Sequence, residues 1–340
     1  MLITEKDDTK TASPAGATRL ADETNPAGAT RFGDAAILAD KASPADAARH
    51  PTAPSSPTAA IQLLAVDLDD TLLKEDLSIS EGNLRALKAA EDLGVSVLLA
   101  SGRVPEAMSR YARELDMHRR PGYIISNNGC TIHRSDTGEG LYRRSIDGEA
   151  AVDIYRRAQE AGFPVERYRG SFVCTNRENS WTDLDSSLSG LGKKIIPEFE
   201  EELRVHPPVK LIIPGEPDLV ARFREELTED YGDAFTIFIS KPYFLEVLPK
   251  GADKGVALAW LAEKLSVPRE AVMAIGDSDN DLGMVEWAGR GIAMANANET
   301  VKAAASWITI ADHEHDGVAE AVERFILVPH ASARDPLGEA

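Results

Sequence analysis

The chain has 340 residues, 43% of them hydrophobic and 27% charged, with a formal net charge of -19. This length and composition suit a soluble globular protein of roughly two domains with a substantial core. The acidic balance, without any basic stripe interleaved with aromatics, argues against a phosphate-backbone binder, so no nucleic-acid partner is expected. No apolar run approaches the ~18 residues of a membrane span, so no membrane partner is expected. Cys130 and Cys174 have neither metal-type nor redox-type spacing and are expected to be small thiols in a reducing compartment, which points to the cytoplasm.

Residues 1–60 are rich in Ala, Pro, Thr, Ser and Asp and cannot bury enough apolar surface to offset ordering, so a disordered low-complexity tail is predicted. Within it Pro14-Ala-Gly-Ala-Thr-Arg19 recurs as Pro26-Ala-Gly-Ala-Thr-Arg31, far below the period of a solenoid unit. From Gln62 the pattern becomes strand, loop, helix, repeated. Leu63–Val66 reads as a buried strand, and Ser80 as the N-cap of a helix that places Leu84, Leu87 and Leu93 on one face before Gly94 ends it. Val95–Ala100 is a second strand, its Ser101-Gly-Arg103 loop opens a helix through Pro105, and Tyr123–Ile125 is a third strand before Asn127-Asn-Gly129. Such alternation predicts parallel pairing with right-handed crossovers.

Between residues 147 and 247 the rhythm changes. A helix over 148–161 precedes strands over 165–168 and 172–175, and later come strands near 210–213, 235–239 and 244–247 with a helix over 218–231, an α+β unit inserted into the first. The run Glu198-Phe-Glu-Glu-Glu202 is expected to be a solvated face of that unit. After Lys250 the βα rhythm resumes with a helix around 256–265, a strand over 272–275 and short strands near Ile292 and Ile308. Residues 328–340 are expected to be a frayed tail.

Two acidic loops each follow an apolar run: Asp67-Leu-Asp-Asp-Thr71 and Gly276-Asp-Ser-Asp-Asn-Asp281. Clustering them at the carboxyl edge of one sheet would be repulsive without a divalent cation, since like charges a few Å apart repel by about several kcal/mol at moderate dielectric. Oxygen-only ligation by Asp67 and Asp277 suits Mg²⁺. Asp67 is the candidate nucleophile, forming an aspartyl-phosphate, and Asp69 the general acid and then base. Ser101 and Gly102 offer a hydroxyl and backbone N–H groups to phosphoryl oxygens, Lys254 adds a fixed positive charge, and Asn280 is a further donor. Thr71 and Asp281 are supporting residues, Asp281 placed to hold Lys254 or a metal-bound water. A calcium hand is excluded for the second loop, because its sixth position is Leu282 and its twelfth Ala288. Asp312-His-Glu-His315 is expected to face solvent, and Trp181, Trp260, Trp287 and Trp307 to be packing residues.

Taken with Ser126-Asn-Asn-Gly129 and Pro249-Lys-Gly-Ala-Asp-Lys-Gly255, these motifs resemble, in order and across residues 61–327, the haloacid dehalogenase superfamily, and more narrowly its Cof-type (subfamily IIB) phosphatases. The resemblance implies an α/β fold: a Rossmann-like parallel-sheet core over 61–146 and 248–327, with an α+β cap of C2 type over 147–247. It implies Mg²⁺-dependent hydrolysis of small phosphate monoesters such as sugar phosphates, Asp67 as nucleophile and Asp69 as acid/base. Ser101, Lys254 and Asn280 would be phosphate contacts, and Asp67, Asp277 and the Asp69 backbone carbonyl metal ligands. One departure is Asp70, where many relatives have glycine. A phosphomutase of the phosphomannomutase kind shares these features; a phosphoacceptor signalling domain or a non-catalytic binding relative is a reading of another class, which the insertion and Asp69 count against. Cap cations Arg143, Arg167, Arg169, Lys210 and Lys241 are candidates to meet the leaving group, with exposure on the surface the default for each.

Overall fold

The computed structural model describes residues 59–334; the tail expected over 1–60 lies outside the described residues except for its last two, as do residues 335–340. Strand β1 (Leu63–Asp67) runs into an irregular turn over Leu68–Leu72, then α1 (Glu81–Asp92), β2 (Ser96–Ala100), α2 (Pro105–Glu114) and β3 (Tyr123–Ser126) follow. Ser80 caps α1 as expected, its side chain accepting from the Asn83 N–H, and Gly94 leaves the helix at φ 90°. A short turn over Asn127–Gly129 leads to β4 (Thr131–Arg134) and β5 (Gly140–Arg143).

The next unit comprises α3 (Gly148–Glu160), β6 (Glu166–Arg169), β7 (Phe172–Thr175), α4 (Ser180–Ser189), β8 (Gly192–Ile195), α5 (Phe199–Val205), β9 (Leu211–Pro214), α6 (Pro217–Tyr231), β10 (Phe235–Lys241) and β11 (Phe244–Pro249). The chain then returns through α7 (Lys254–Lys264), β12 (Val272–Gly276), α8 (Leu282–Trp287), β13 (Arg290–Ala293), α9 (Glu299–Ala304) and β14 (Trp307–Ile308). It ends in α10 (Gly317–Val322), which passes through Glu323–Leu327 into α11 (Val328–Arg334). Residues 328–334 are therefore helical, where a frayed tail was expected.

The first sheet has the order β14-β13-β12-β1-β2-β3-β4-β5. Its first six strands are parallel, with Val66 level with both Ile275 and Leu99, so the carboxyl ends of β1, β2 and β12 open at one edge. Fully buried Leu63, Leu64, Leu98, Leu99 and Ile275 hold the strands between helices, each contributing roughly 1.5–3 kcal/mol of transfer free energy. Pairing is not parallel throughout: β4 and β5 add an antiparallel edge to β3, reached by the tight Asn127–Gly129 turn instead of a crossover helix.

The second sheet, β10-β11-β9-β6-β7-β8, is antiparallel except for β7–β8. Its Leu211, Ile213, Leu245 and Val247 pack with Ile154, Phe199, Leu203, Phe223 and Leu227 of α3, α5 and α6 on one face. Phe199 lies inside that core and Glu202 is nearly buried against Arg167 and Arg169, so the run over 198–202 is only partly a solvated face. By strand alternation the opposite face carries Glu166, Tyr168, Ile212 and Glu246. It is turned toward the first sheet's loops, where Tyr168 and Val173 pack with Val104 and Ala107, and Val209 and Leu248 with Cys130. Trp260 and Trp307 meet the rings of Tyr142 and Phe325, Trp181 stacks on Tyr243, and Trp287 packs on the core, all packing roles. Among the described residues no helix is long and apolar enough to cross a membrane.

Candidate active site

The sheet edge gathers the acidic loops. Asp67 closes β1 and Asp277 follows β12, strands that pair residue for residue. Asp67, Asp277 and Asp281 present carboxylate oxygens within 4.8 Å of one another, all three buried. Two local devices hold them. Gly276 leaves no room for a Cβ, which would fall 2.4 Å from the Asp281 Cβ, and Asp281 Oδ2 accepts from the N–H groups of Asp277 and Ser278 at 3.0 and 3.2 Å. Asp70 has φ 58°, a left-handed conformation that glycine adopts freely and Asp tolerates. Its carbonyl accepts from Asn296 Nδ2 at 2.7 Å.

Lys254, fully buried at the first position of α7, reaches Asp67 Oδ1 and Asp281 Oδ1, each at 2.6 Å. Gly129 lets the Asn127–Gly129 turn lie against that helix start, at φ 90° and with a Cβ position only 2.2 Å from the Asp253 carbonyl oxygen. Three carboxylates and one ammonium carry a formal -2 in a largely buried space. Burial, and next the charge of Asp281, hold Asp67 well above the usual carboxylate range against the pull of Lys254. The same two causes push Asp277 up to about 7. Burial would lower Lys254, but Asp281 and Asp67 outweigh it and keep the ammonium charged.

The donor set fits a hard divalent cation. It is oxygen only and over-supplied with negative charge, and among the described residues one oxygen each of Asp67 and Asp277 makes no hydrogen bond. Thr71 Oγ1 donates to the other oxygen of Asp277 at 2.8 Å. Both oxygens of Asp281 are committed to Lys254 and to backbone N–H groups, so it lies in the cluster but is spent on holding it.

Asp69 stands apart from this cluster. Its carboxylate is gripped by Arg103, Nε to Oδ2 at 2.9 Å and Nη2 to Oδ1 at 2.5 Å. Burial works upward on it, but the hydrogen bonds and charge of Arg103 prevail and hold it below its ordinary value. Arg103 had no assigned role in the sequence, and only its place in Ser101-Gly-Arg103 signalled it. The Ser101 hydroxyl is buried and accepts from the Arg103 N–H at 3.1 Å. The Ser101 N–H is spent on the Ile125 carbonyl, a continuation of the β2–β3 ladder, so the expectation of several backbone donors here reduces to Gly102. Asn280 Nδ2 donates to Asn128 Oδ1 at 3.2 Å, making Asn128 a second unforeseen neighbour of the loops.

The cap cations are mostly not at the surface. Arg167 and Lys210 are buried, Arg143 donates to the Pro207 carbonyl, and Arg169 pairs with Glu202. Lys241 alone is exposed, and its charge bears on Asp69. His313 is also drawn in, contrary to expectation: its N–H is held by Asn296 and its ring lies 3.8 Å from Asp70, whereas His315 remains exposed. Cys130 and Cys174 are both free and buried.

A doubly wound sheet with buried carboxylates at its carboxyl edge, faced by a second sheet inserted in the chain, defines a capped α/β protein with a cation-attracting site. Comparison with known proteins agrees, since residues 64–322 match the family described as haloacid dehalogenase-like hydrolase. The 5-amino-6-(5-phospho-D-ribitylamino)uracil phosphatase YcsE of Bacillus subtilis is 32% identical over 78% of this chain and 96% of its own length. Phosphatase YwpJ of the same organism is 30% identical over 78% of this chain and its full length. A haloacid dehalogenase-like hydrolase from Bacteroides thetaiotaomicron has a similar structure, with a TM-score of 0.73, 34% identity, and coverage of 78% of this chain and 99% of its own. The chain belongs to the haloacid dehalogenase-like hydrolase family, and within it is a phosphatase of small phosphoric monoesters.

Proposed function

We propose that the protein hydrolyses small organic phosphate monoesters, sugar phosphates among them, in the presence of Mg²⁺ through a phosphorylated Asp67. The observation that carries this reading is the division of labour between two carboxylates two residues apart. Asp67 is buried with one oxygen on Lys254 and the other without a hydrogen bond, while Asp69 is turned to Arg103. The free oxygen of Asp67 attacks phosphorus as the bond to the leaving oxygen breaks, and Asp69 gives that oxygen a proton. Asp69 then takes a proton from the water that attacks the phosphoaspartate, restoring Asp67 and releasing inorganic phosphate. Arg103 keeps Asp69 ionised in the arrangement described, which suits the second step; the first requires that grip to be given up. The Ser101 hydroxyl, the Gly102 N–H, Lys254 and Asn280 would hold the phosphoryl oxygens. Asp67, Asp277 and the Asp69 backbone carbonyl would hold Mg²⁺, with Thr71 and Asp281 supporting them. When bound, Mg²⁺ neutralises the charge that phosphate and carboxylates bring together.

Residues 61–146 and 248–327 would form the core and 147–247 the cap, whose inner face would select the leaving group. Phosphate release from a panel of sugar phosphates, nucleotides and pyridoxal phosphate, with and without Mg²⁺, tests this beside Asp67→Asn and Asp69→Asn. Release that needs Mg²⁺, vanishes in Asp67→Asn and falls severely in Asp69→Asn is expected. Wild-type rates in either variant would sink the mechanism, and interconversion of hexose phosphates without phosphate release would replace hydrolysis by mutase chemistry.

A further inference from the structure

Lysine is seldom fully buried, because its ammonium loses its hydration there. Lys210 sits directly before β9 of the cap with its side chain only 5% exposed. It pairs with Glu246 of β11 at 2.9 Å, and its Nζ lies 5.2 Å from the centroid of the Tyr168 ring. A buried ion pair of this kind adds little net stability compared with apolar residues of the same volume, so its presence asks for another account. The remaining contact of Lys210 offers one: Nζ also reaches the Gly102 carbonyl of the core at 3.4 Å, the long end of a hydrogen bond.

That carbonyl is the middle one of three. The Ser101 carbonyl accepts from the Asn128 N–H at 3.1 Å and the Arg103 carbonyl from the Asn127 N–H at 2.9 Å, both from the core's own turn. Gly102 is thus the one residue of this loop whose carbonyl takes its donor from the cap. The loop is tightly placed otherwise, since a Cβ on Gly102 would lie 2.9 Å from Asn128 Oδ1. Its last residue is Arg103, whose guanidinium holds Asp69 by two hydrogen bonds.

We propose that Lys210 is a positioning residue through which the closed cap fixes the peptide of Gly102, and with it both the phosphoryl-binding Ser101–Gly102 segment and the Arg103 grip on Asp69. Lys210 does not touch the leaving group. It acts on the part of the site common to every ester, so its removal weakens phosphoryl binding equally for all of them. This role rests on the phosphatase reading of the Ser101–Arg103 loop.

The test uses the full chain as Lys210→Met, Lys210→Arg and the charge-free pair Lys210→Met/Glu246→Gln, the last because Lys210→Met alone leaves Glu246 buried without its partner. KM and kcat for two esters with unlike leaving groups, the inhibition constant of inorganic phosphate and the thermal midpoint are measured for each. Loss of one charge-assisted hydrogen bond predicts a rise of about tenfold in both KM values and in the phosphate inhibition constant, persisting in the double variant after its midpoint has recovered. Lys210→Arg, which keeps the donor, is expected to restore most of the phosphate affinity. Wild-type phosphate affinity and KM in the double variant would overturn the role. A KM change that follows the leaving group while phosphate inhibition stays put would overturn it too, and make Lys210 a leaving-group contact. A wild-type protein that hydrolyses no ester and is not protected by phosphate would overturn the reading of the loop itself, and this role with it.

Discussion

Lys254→Met removes what is, among the described residues, the only positive charge in direct contact with the carboxylate cluster, and its consequence can be worked from the geometry. The ammonium makes two bonds of 2.6 Å, to Asp67 and Asp281, at a fully buried site. Taking away one partner of a buried ion pair costs about 3–5 kcal/mol, which for a chain of this size lowers the thermal midpoint on the order of 10 °C. The loss depends on pH. Asp67 already lies well above the usual carboxylate range against the pull of Lys254; without that pull it rises further, so the folded form holds a proton that the unfolded chain gives up, and the loss of stability grows as pH climbs from the unfolded carboxylate range upward. The formal charge of the three carboxylates and Lys254 goes from -2 to -3, so a divalent cation gains in the variant what the ammonium no longer supplies. Thermal melts in EDTA and in excess Mg²⁺, at pH 6 and pH 8, read all of this. Lys254→Met is expected to melt lower in EDTA, most at pH 8, and to gain more from Mg²⁺ than wild type does. An unchanged midpoint in EDTA, or an equal Mg²⁺ gain in both proteins, would refute the charge accounting.

Two other outcomes follow from groups remote from the carboxylate cluster. Burial, and then the charge of Asp185, push Glu166 up to about 8, and Thr182 Oγ1 donates to it at 2.6 Å while Tyr168 donates to Asp185 at 2.9 Å. Because the folded form keeps the Glu166 proton, stability is expected to fall by on the order of a few kcal/mol as pH rises from the unfolded value of about 4.5 through 8. Denaturant midpoints across that range should decline less in Glu166→Gln, and parallel profiles would count against the pairing. Burial likewise pushes the Cys130 thiol up to about 12 and raises that of Cys174. Neither thiol is expected to react with iodoacetamide at pH 8 in the native protein, whereas both should react in urea, as intact mass will show.

Much of this architecture is legible in local patterns. The apolar runs before Asp67 and Asp277, the Ser80 cap and Gly94 mark the parallel strands and their crossover, because each is a short-range preference that tertiary packing here reinforces. What escapes is structure defined by partners distant in sequence. Strands β4 and β5 are four residues each and lie at a sheet edge, with His133 and Arg134 breaking any apolar signal. Helix α4 buries Thr182 and Asp185 instead of an apolar stripe, so its segment reads as a polar loop. Strand β8 is another edge with Lys193 and Lys194 in its middle. The same reason hid part of the site. That Arg103 holds Asp69 and Asn128 receives Asn280 depends on which loops meet in space. That Lys210 is buried depends on Glu246, 36 residues away.

The inserted segment leaves the first sheet and returns to it at almost the same spot. Arg144, just after β5, clasps the carbonyls of Gly251 at 2.7 Å and Lys250 at 2.6 Å, just after β11, and Ile146 N–H reaches the Pro208 carbonyl. Both crossings of the chain are thereby pinned as a two-stranded pivot. Lys254 lies three residues beyond it, so a rotation of the second sheet about this clasp would carry Lys241 through a wide arc while displacing the Lys254 ammonium hardly at all. Such a rotation would change access to the carboxylates while leaving the ion pair among them intact.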